Sequence, residues 1–403
     1  MNYCKRCVMP DTRPDLYFDK NGVCCACLNY EKRKDINWSG RKEELLNILD
    51  KYRSKDGSNW DCIVPVSGGK DSTYQVLKLL QLGMNPLCVT ATTCDLSSIG
   101  RKNIENIKNL GVDYLEFSTN PVIRKKLNRI GLTKVGDISW PEHSSIFTIP
   151  VRVAVQHNIP LIIWGENSQN EYGGPAASVD NNILNKKWLE EFGGLLGLRI
   201  SDLASAEGIN RNNLIPYFYP DDSDLKKVRV TGLFLGHYFP WDGFANALLA
   251  QANGFATFSK SVEGSMVNYE NLDNYQTGIH DYFKYLKFGF GRATDIACLH
   301  LRRDRINRDD AIGIVRKMDG KFPWTYLDKK LEDILEPLNI SVDEFIGICD
   351  KFTNKKIFKT DVNGNLIKDK NGNLMKLKYP EFLEEKESFM EFRSKCDQNS
   401  CCD

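Results

Sequence analysis

Cys62-Ile63-Val64-Pro65-Val66-Ser67-Gly68-Gly69-Lys70-Asp71-Ser72 decides how this chain is read. An apolar run of strand length stops at two glycines. A helical pattern follows at once, with apolar or aromatic residues at Tyr74, Val76, Leu77, Leu79, Leu80 and Leu82 and a stop at Gly83. A strand, a glycine turn and a helix N-terminus make an anion site, because unpaired backbone N–H groups point outward along the positive end of the helix dipole. Gly68 and Gly69 let the backbone approach a phosphate with no Cβ in the way, and Lys70 adds a point charge. Ser67 and Ser72 add hydroxyls. Asp71 would repel a bare phosphate, so it reads as a Mg²⁺ ligand with the metal between it and a polyphosphate.

A Walker A loop needs glycine at position 64 and Ser or Thr directly after the lysine. Val64 and Asp71 stand there instead, which excludes a P-loop kinase or GTPase. The run Ser-Gly-Gly-Lys-Asp-Ser resembles the PP-loop of the N-type ATP pyrophosphatases. That resemblance implies an adenine nucleotide α-hydrolase-like fold and adenylation of a carbonyl oxygen with release of pyrophosphate.

Working outward, strands are predicted at Pro86–Ala91, Asp113–Ser118, Pro160–Trp164 and Val228–Phe239, and helices from Ile99 to Leu110 and from Ser144 to His157. Strands alternating with helices predict an α/β, doubly wound parallel sheet, whose ligands lie beyond the carboxyl ends of the strands. That rule gathers Ser67–Ser72, Thr90, Thr92 and Gly165-Glu166-Asn167 at one edge as the expected nucleotide-binding set. Residues 165–174, bounded by glycines and rich in amides and carboxylates, read either as a cover over the nucleotide, with Glu171 or Glu166 on a second Mg²⁺, or as a solvated loop. Lys260 lies in a loop of small residues and reads either as a charge for leaving pyrophosphate or as an ordinary solvated lysine. Lys70, Asp71, Glu171 and Lys260 are the expected catalytic groups. His280 and Asp281 are neighbours, which do not face each other on a helix. The arginines among 299–310 read as a solvated face, with capture of an anionic substrate as the minority reading.

Before the sheet, Cys4-x₂-Cys7 and Cys24-Cys25-Ala26-Cys27 form two knuckles sixteen residues apart, the spacing of a four-cysteine zinc ribbon. Spacing favours Cys4, Cys7, Cys24 and Cys27 over Cys25, and Asn21-Gly22 supplies a hairpin turn. Four protein ligands close the site, so the zinc is structural. The expected organisation is a ribbon over 1–34, a linker helix over 35–60, the PP-loop domain over 61–300 with an insertion at about 180–228 read as polar and helical, and a helical region over 301–403. That last region contains a small β-meander at two Asn-Gly repeats, Asn363-Gly364 and Asn371-Gly372. Among the 403 residues, 54 Lys and Arg face 53 Asp and Glu, a balance that argues against gripping a long polyanion. Thirteen cysteines, no signal-peptide pattern and no apolar run of membrane-spanning length predict a cytoplasmic protein off the membrane.

Four stretches together resemble the N-acetyl sugar amidotransferases. They are Cys-x₂-Cys-Val-Met-Pro-Asp-Thr-Arg-Pro from Cys4, the loop at Ser67, Gly165-Glu166-Asn167 with Glu171-Tyr172-Gly173-Gly174, and His280-Asp281-Tyr282 with Lys287-Phe288-Gly289. The resemblance runs to about Gly320. It implies conversion of an acetamido group to an acetamidino group on a nucleotide-linked sugar for a surface glycan, such as lipopolysaccharide or a flagellin glycan. It also implies ATP and Mg²⁺, with ammonia from a glutaminase and a barrel subunit like those of imidazole glycerol phosphate synthase. No cysteine sits in a nucleophile context, which agrees with an external ammonia source. A tRNA-thiolating PP-loop enzyme is the alternative. It is disfavoured because no C-x₂-C pair occurs between Leu28 and Lys395.

Overall fold

The computed structural model describes residues 1–166, 183–184, 200, 208–370 and 372–377. Its centre is a six-stranded sheet. In chain order the strands are β1 (Cys62–Pro65), β2 (Pro86–Ala91), β3 (Asp113–Phe117), β4 (Leu161–Trp164), β5 (Ile183–Leu184) and β6 (Thr231–Phe234), and across the sheet they run β3-β2-β1-β4-β6-β5. The first five positions are parallel, with Cys62 opposite Pro86, Leu87 opposite Asp113, Ile63 opposite Ile162 and Leu161 opposite Thr231. Successive strands progress outward from β1 to β3 and then jump back across β1 to β4. The crevice between β1 and β4 is therefore the switch point at which doubly wound sheets hold ligands.

The period-two alternation of strands explains why both faces are apolar. The ribbon and linker supply helices α1 (Cys25–Lys32) and α2 (Trp38–Tyr52), and the sheet's crossovers begin with α3 (Lys70–Gln81) and α4 (Ser98–Asn109). Cys62, Val64 and Cys88 turn to one side and pack with Leu45 and Leu49 of α2, Val76 and Leu79 of α3 and Ile107 of α4. Ile63, Leu87 and Val89 turn to the other, against Ile149, Val153 and Ala154. Those three belong to α6 (Trp140–Gln156), which follows α5 (Pro121–Ile130) and a π-turn at Gly131–Val135. Strands buried on both faces read as unbroken apolar runs, as Cys62–Val66 does.

Two stretches differ from their sequence reading, and a third, α5, has none. Part of the 180–228 region, taken as helical, contributes β5, which pairs antiparallel to β6 through Ile183 opposite Leu233. Ile183-Leu184 is an apolar break in an otherwise polar stretch. The described remainder of that region holds a 3₁₀ segment at Arg211–Tyr217 and the helix α7 (Asp222–Val228). The strand expected over 228–239 is only four residues long. After Phe234 the chain coils over β4, where the Gly236 N–H donates to the Gly165 carbonyl at 3.0 Å, and a Cβ on Gly236 would lie 3.2 Å from the Glu166 Cα. The sequence reading did not name helix α5, whose inner face carries the polar Arg124 and Asn128 beside Leu127 and Ile130, all four buried. Arg124 donates to Glu142 at 3.0 Å, to Ser145 at 3.0 Å and to the Tyr217 hydroxyl at 2.9 Å, tying α5 to α6 and the 3₁₀ segment.

Beyond β6 the chain forms α8 (Gly243–Ala252), a long loop, α9 (Thr277–Phe288), α10 (Arg292–Arg302), α11 (Arg308–Met318), a hairpin of β7 (Thr325–Tyr326) and β8 (Lys329–Lys330), α12 (Leu331–Leu335) and α13 (Val342–Phe352). Helices α8, α9, α10, α12 and α13 share a core with Tyr326 around Phe283, Tyr285, Leu335 and Phe345, whereas α11 packs with the ribbon. In the tail, single antiparallel bridges join Thr360 to Leu366, Lys368 to Leu374 and Phe358 to Lys376. The Asp361 carboxylate accepts from the Asn363 and Asn365 amides at 2.8 Å, closing the first turn around Gly364 at φ +81°. No helix among the described residues is long and apolar enough to cross a membrane.

Candidate active site

Glycine chemistry builds the loop at the end of β1. Gly68 sits at φ +82°, and a Cβ there would lie 2.9 Å from the Ile104 amide nitrogen. Only glycine lets this turn press so closely on α4. Gly69 occupies the N-cap position of α3, and its amide donates to the Ser67 hydroxyl at 3.3 Å. The Ser72 and Thr73 hydroxyls both donate back to the Gly69 carbonyl, at 2.9 and 3.0 Å, locking the first turn. Ser67, Gly68, Gly69, Lys70, Asp71 and Ser72 line one cavity of about 280 Å³, with Glu166 from the end of β4 on its wall.

Lys70 is nearly buried, and its Nζ lies 2.6 Å from Asp71 Oδ2 and 3.0 Å from Glu270 Oε1. The second Asp71 oxygen accepts from Asn246 Nδ2 at 2.8 Å. Two carboxylates therefore meet around one ammonium at a helix N-terminus. Such a donor and acceptor set fits a nucleotide polyphosphate with Mg²⁺: hard carboxylate oxygens for the metal, and the lysine and loop N–H groups for phosphate. Tyr269 joins the same wall, and burial pushes its phenol up to about 12, so it remains a neutral donor at neutral pH.

The other expected residues are placed as follows. Thr90 is buried and does not line the cavity. Its hydroxyl donates to the Val66 carbonyl at 2.5 Å and meets the Tyr114 hydroxyl, cross-tying β2 to β1 and β3. Thr92 donates to Glu116 at 3.2 Å. Gly165 packs against the Trp241 ring at the mouth of the crevice. Lys260 lines a different cavity, is 57% exposed and pairs with Asp328 at 2.8 Å. Asn167 and Glu171 lie outside the described residues, as do Cys396, Cys401 and Cys402.

Sequence reading missed Asn246, Glu270, Asn271, Asp273 and Arg292, which complete the cavity or its ion pairs. Only Asn246 left a signal, as the lone amide within Phe-Ala-Asn-Ala-Leu-Leu-Ala on α8. The arginine run divides. Arg305 grips Asp242, the N-cap of α8, with one contact at 3.0 Å, and Arg303 donates to the Trp241 carbonyl at 2.9 Å. These arginines brace the helix that presents Asn246.

Behind the cavity, His280 and Asp281 point apart, as adjacent helical residues must. His280 Nδ1 lies 2.8 Å from buried Asp137, which His143 Nδ1 also approaches at 3.2 Å. Burial opposes charge on Asp137, yet the two imidazoles hold its carboxyl well below the usual range. Asp281 faces Arg292 at 3.0 Å and Lys284 at 3.9 Å. Burial raises its pKa and these cations outweigh the burial, leaving it lowered from 3.8 to about 2. A depressed carboxylate contributes stability that is present above its unfolded pKa and lost as pH falls through its folded value. Asp281→Asn should therefore cost about 2 kcal/mol at neutral pH. Its acid unfolding should also be shallower than that of the parent protein between pH ~4 and ~2, as read by circular dichroism.

Cys4, Cys7, Cys24 and Cys27 are buried with their sulfurs all within 4.8 Å of one another, and Cys25 is not among them. Backbone N–H groups of Arg6, Cys7 and Cys24 donate to Cys4 Sγ at 3.2–3.4 Å. Hydrogen bonds from Cys24, and then from Cys27 and Cys7, lower the Cys4 thiol well below the usual thiol range. Four sulfurs this close, with amides aimed at one of them, fit a structural zinc ion. The knuckles pack on Phe290, Ala297, Cys298, Ala311 and Val315 of the 290–315 region.

Comparison with known proteins gives partial matches. Residues 263–370 match the family described as the LPS biosynthesis protein WbpG-like, C-terminal domain. An uncharacterized protein of Methanocaldococcus jannaschii is 33% identical over 114 residues, 28% of this chain. The chain thus spans 39% of the length of that curated relative. The structure of NMN synthetase from Francisella tularensis aligns at 12% identity and a TM-score of 0.26, covering 48% of this chain and 92% of that one. A superposition that loose leaves the fold to rest on its own strand order and two-faced core.

Proposed function

We propose that this chain is an ATP-dependent, AMP-forming amidotransferase acting on an N-acetyl sugar, in practice a nucleotide-linked one, in the synthesis of a surface glycan. The observation that carries the reading is the Ser67–Ser72 loop at the sheet's switch point, with Lys70 held between Asp71 and Glu270. The match of residues 263–370 to an LPS biosynthesis protein domain supports a glycan substrate. Together with the motif resemblance, these features favour activation of an acetamido group over γ-phosphoryl transfer.

In this mechanism the acetamido oxygen attacks the α-phosphorus of ATP, and the bond to the β-phosphate bridging oxygen breaks. The loop N–H groups and Lys70 stabilise the charge gathering on pyrophosphate. Asp71 with Glu270 or Glu166 would hold Mg²⁺, which would supply further neutralisation of that charge. Ammonia then adds to the activated carbon, AMP leaves with the former acetamido oxygen, and an acetamidino group remains. Ammonia would come from a separate glutaminase and be led through a barrel subunit, which keeps water from the adenylated intermediate. Zinc serves the ribbon alone, and the reaction belongs in the cytoplasm, where nucleotide sugars are made. Against tRNA thiolation, no cysteine lines the nucleotide cavity among the described residues, and burial raises the Cys94 thiol to about 11.

Incubation with ATP, Mg²⁺, ammonium and a panel of nucleotide-linked N-acetyl sugars should yield AMP, pyrophosphate and a sugar in which one oxygen is replaced by NH. Formation of ADP and phosphate would overturn the reading. Amide-¹⁵N glutamine given to the isolated chain should label no sugar, and label in the product would place a glutaminase within this polypeptide.

A further inference from the structure

A second cavity, of about 330 Å³, lies next to the first, and its lining includes Arg292, which also lines the nucleotide cavity. Resting on the function proposed above, we infer that this second cavity is the acceptor site, taking the N-acetylated sugar ring. In this arrangement Arg292 stands between the sugar and the nucleotide.

Three observations converge on it. The partition between the cavities is a built structure. Arg292 forms a two-pronged contact with Asp281 at 3.0 and 3.2 Å, and the Tyr326 hydroxyl donates to the carbonyl of Asn271, a residue of the nucleotide side, at 3.0 Å. A group bound in the second cavity thus needs to cross only one guanidinium to meet the nucleotide.

The lining also has the chemistry of a sugar site. Tyr282, Phe322 and Trp324 stand in a row, with Phe322 4.5 Å from Trp324 and 5.3 Å from Tyr282 between ring centroids. Pyranose rings present C–H faces to aromatic surfaces and hydroxyls to charged groups. Glu263, Asp281 and Lys260 supply those charges around the same space. A few placed polar groups on a largely aromatic wall, at this volume, are the common build of a small-ligand pocket.

Glycines hold the rings in place. A Cβ on Gly320 would lie 2.4 Å from the Tyr285 ring, and one on Gly278 2.5 Å from the Tyr326 ring, so backbone and rings are pressed together around the opening. Nearly all of this lining falls within 263–370. Lys260, read from sequence either as a charge for pyrophosphate or as a solvated lysine, lies at this cavity's rim.

The test uses the full chain and two variants, Trp324→Ala and the isosteric Glu263→Gln. In saturation-transfer NMR, N-acetylglucosamine, N-acetylgalactosamine and N-acetylmannosamine are offered separately, beside UDP alone and a non-hydrolysable ATP analogue. At least one of the sugars should contact the parent protein. Both variants should weaken that contact about tenfold or more while binding the ATP analogue within about twofold of the parent, which also shows them folded. In AMP-formation assays the same variants should raise KM for sugar and leave KM for ATP in place.

The acceptor assignment falls if no N-acetyl sugar contacts the protein, or if the variants leave sugar binding and its KM unchanged. It also falls if UDP alone is what Trp324→Ala displaces. Sugar contact that the variants abolish, in a protein that forms no AMP, upholds the cavity and overturns the reaction instead. AMP formation with an unaltered KM for sugar does the reverse.

Discussion

Asp71→Asn is expected to lower ATP-dependent turnover by about a thousandfold while the protein stays folded. Asparagine keeps the shape of the side chain and an oxygen for the Asn246 amide, which Asp71 now receives at 2.8 Å. It removes the charge that would hold Mg²⁺ against the polyphosphate, and electrostatic groups of this kind are each worth about two to three orders of magnitude in rate. Lys70 is not stranded by the change, because Glu270 remains 3.0 Å from its ammonium. The melting temperature should move by only a few degrees, consistent with a loss of about 1 kcal/mol. AMP release and thermal unfolding measured on one preparation separate the two effects. A variant that keeps a tenth of the parent activity removes Asp71 from the metal's coordination.

Cys24→Ser should release zinc and destabilise the protein more than any other change considered. Structural zinc in small ribbons contributes about 10 kcal/mol or more of apparent binding free energy, and the ribbon has few other apolar contacts of its own. The damage should not stay local. Arg13 donates to Asp295 at 2.8 Å, and Lys284 donates to the same carboxylate at 2.6 Å. Lys284 in turn neighbours Asp281, the partner of Arg292. Loss of the ribbon therefore loosens the wall of the nucleotide cavity. Metal analysis with thermal unfolding, before and after a strong chelator, gives the readout. A zinc-free protein with the parent's melting temperature would show that the four thiols serve packing alone.

What could be read in advance was whatever rests on local chemistry. The double-sided burial of Cys62–Val66, the glycine turn and the amphipathic start of α3 are encoded within twenty residues, and period and punctuation suffice to read them. The two knuckles are legible for the same reason. What escaped depends on partners far away in sequence. Glu270 and Asn246 gain their meaning from Lys70 and Asp71, some two hundred residues earlier, and no local pattern marks Glu270. Helix α5 was legible from Ile123, Leu127 and Ile130 at helical spacing, but the burial of Arg124 and Asn128 beside them depends on Glu142, Ser145 and Tyr217 farther along the chain. Lys260 stays open between its two sequence readings, because a lysine among small residues looks the same beside a phosphate as at the rim of another cavity.

The packing of the knuckles on residues 290–315 also dictates an order of events during synthesis. Translation proceeds at about 5–20 residues per second, so Phe290 emerges roughly 15 to 60 seconds after Cys4. Over that interval the sheet can condense, while the ribbon's four thiols have no surface to close against. A growing chain thus carries the ribbon thiols uncovered until residues 290–315 follow. Timely capture of zinc would protect those sulfurs from oxidation until α10 and α11 arrive to bury them.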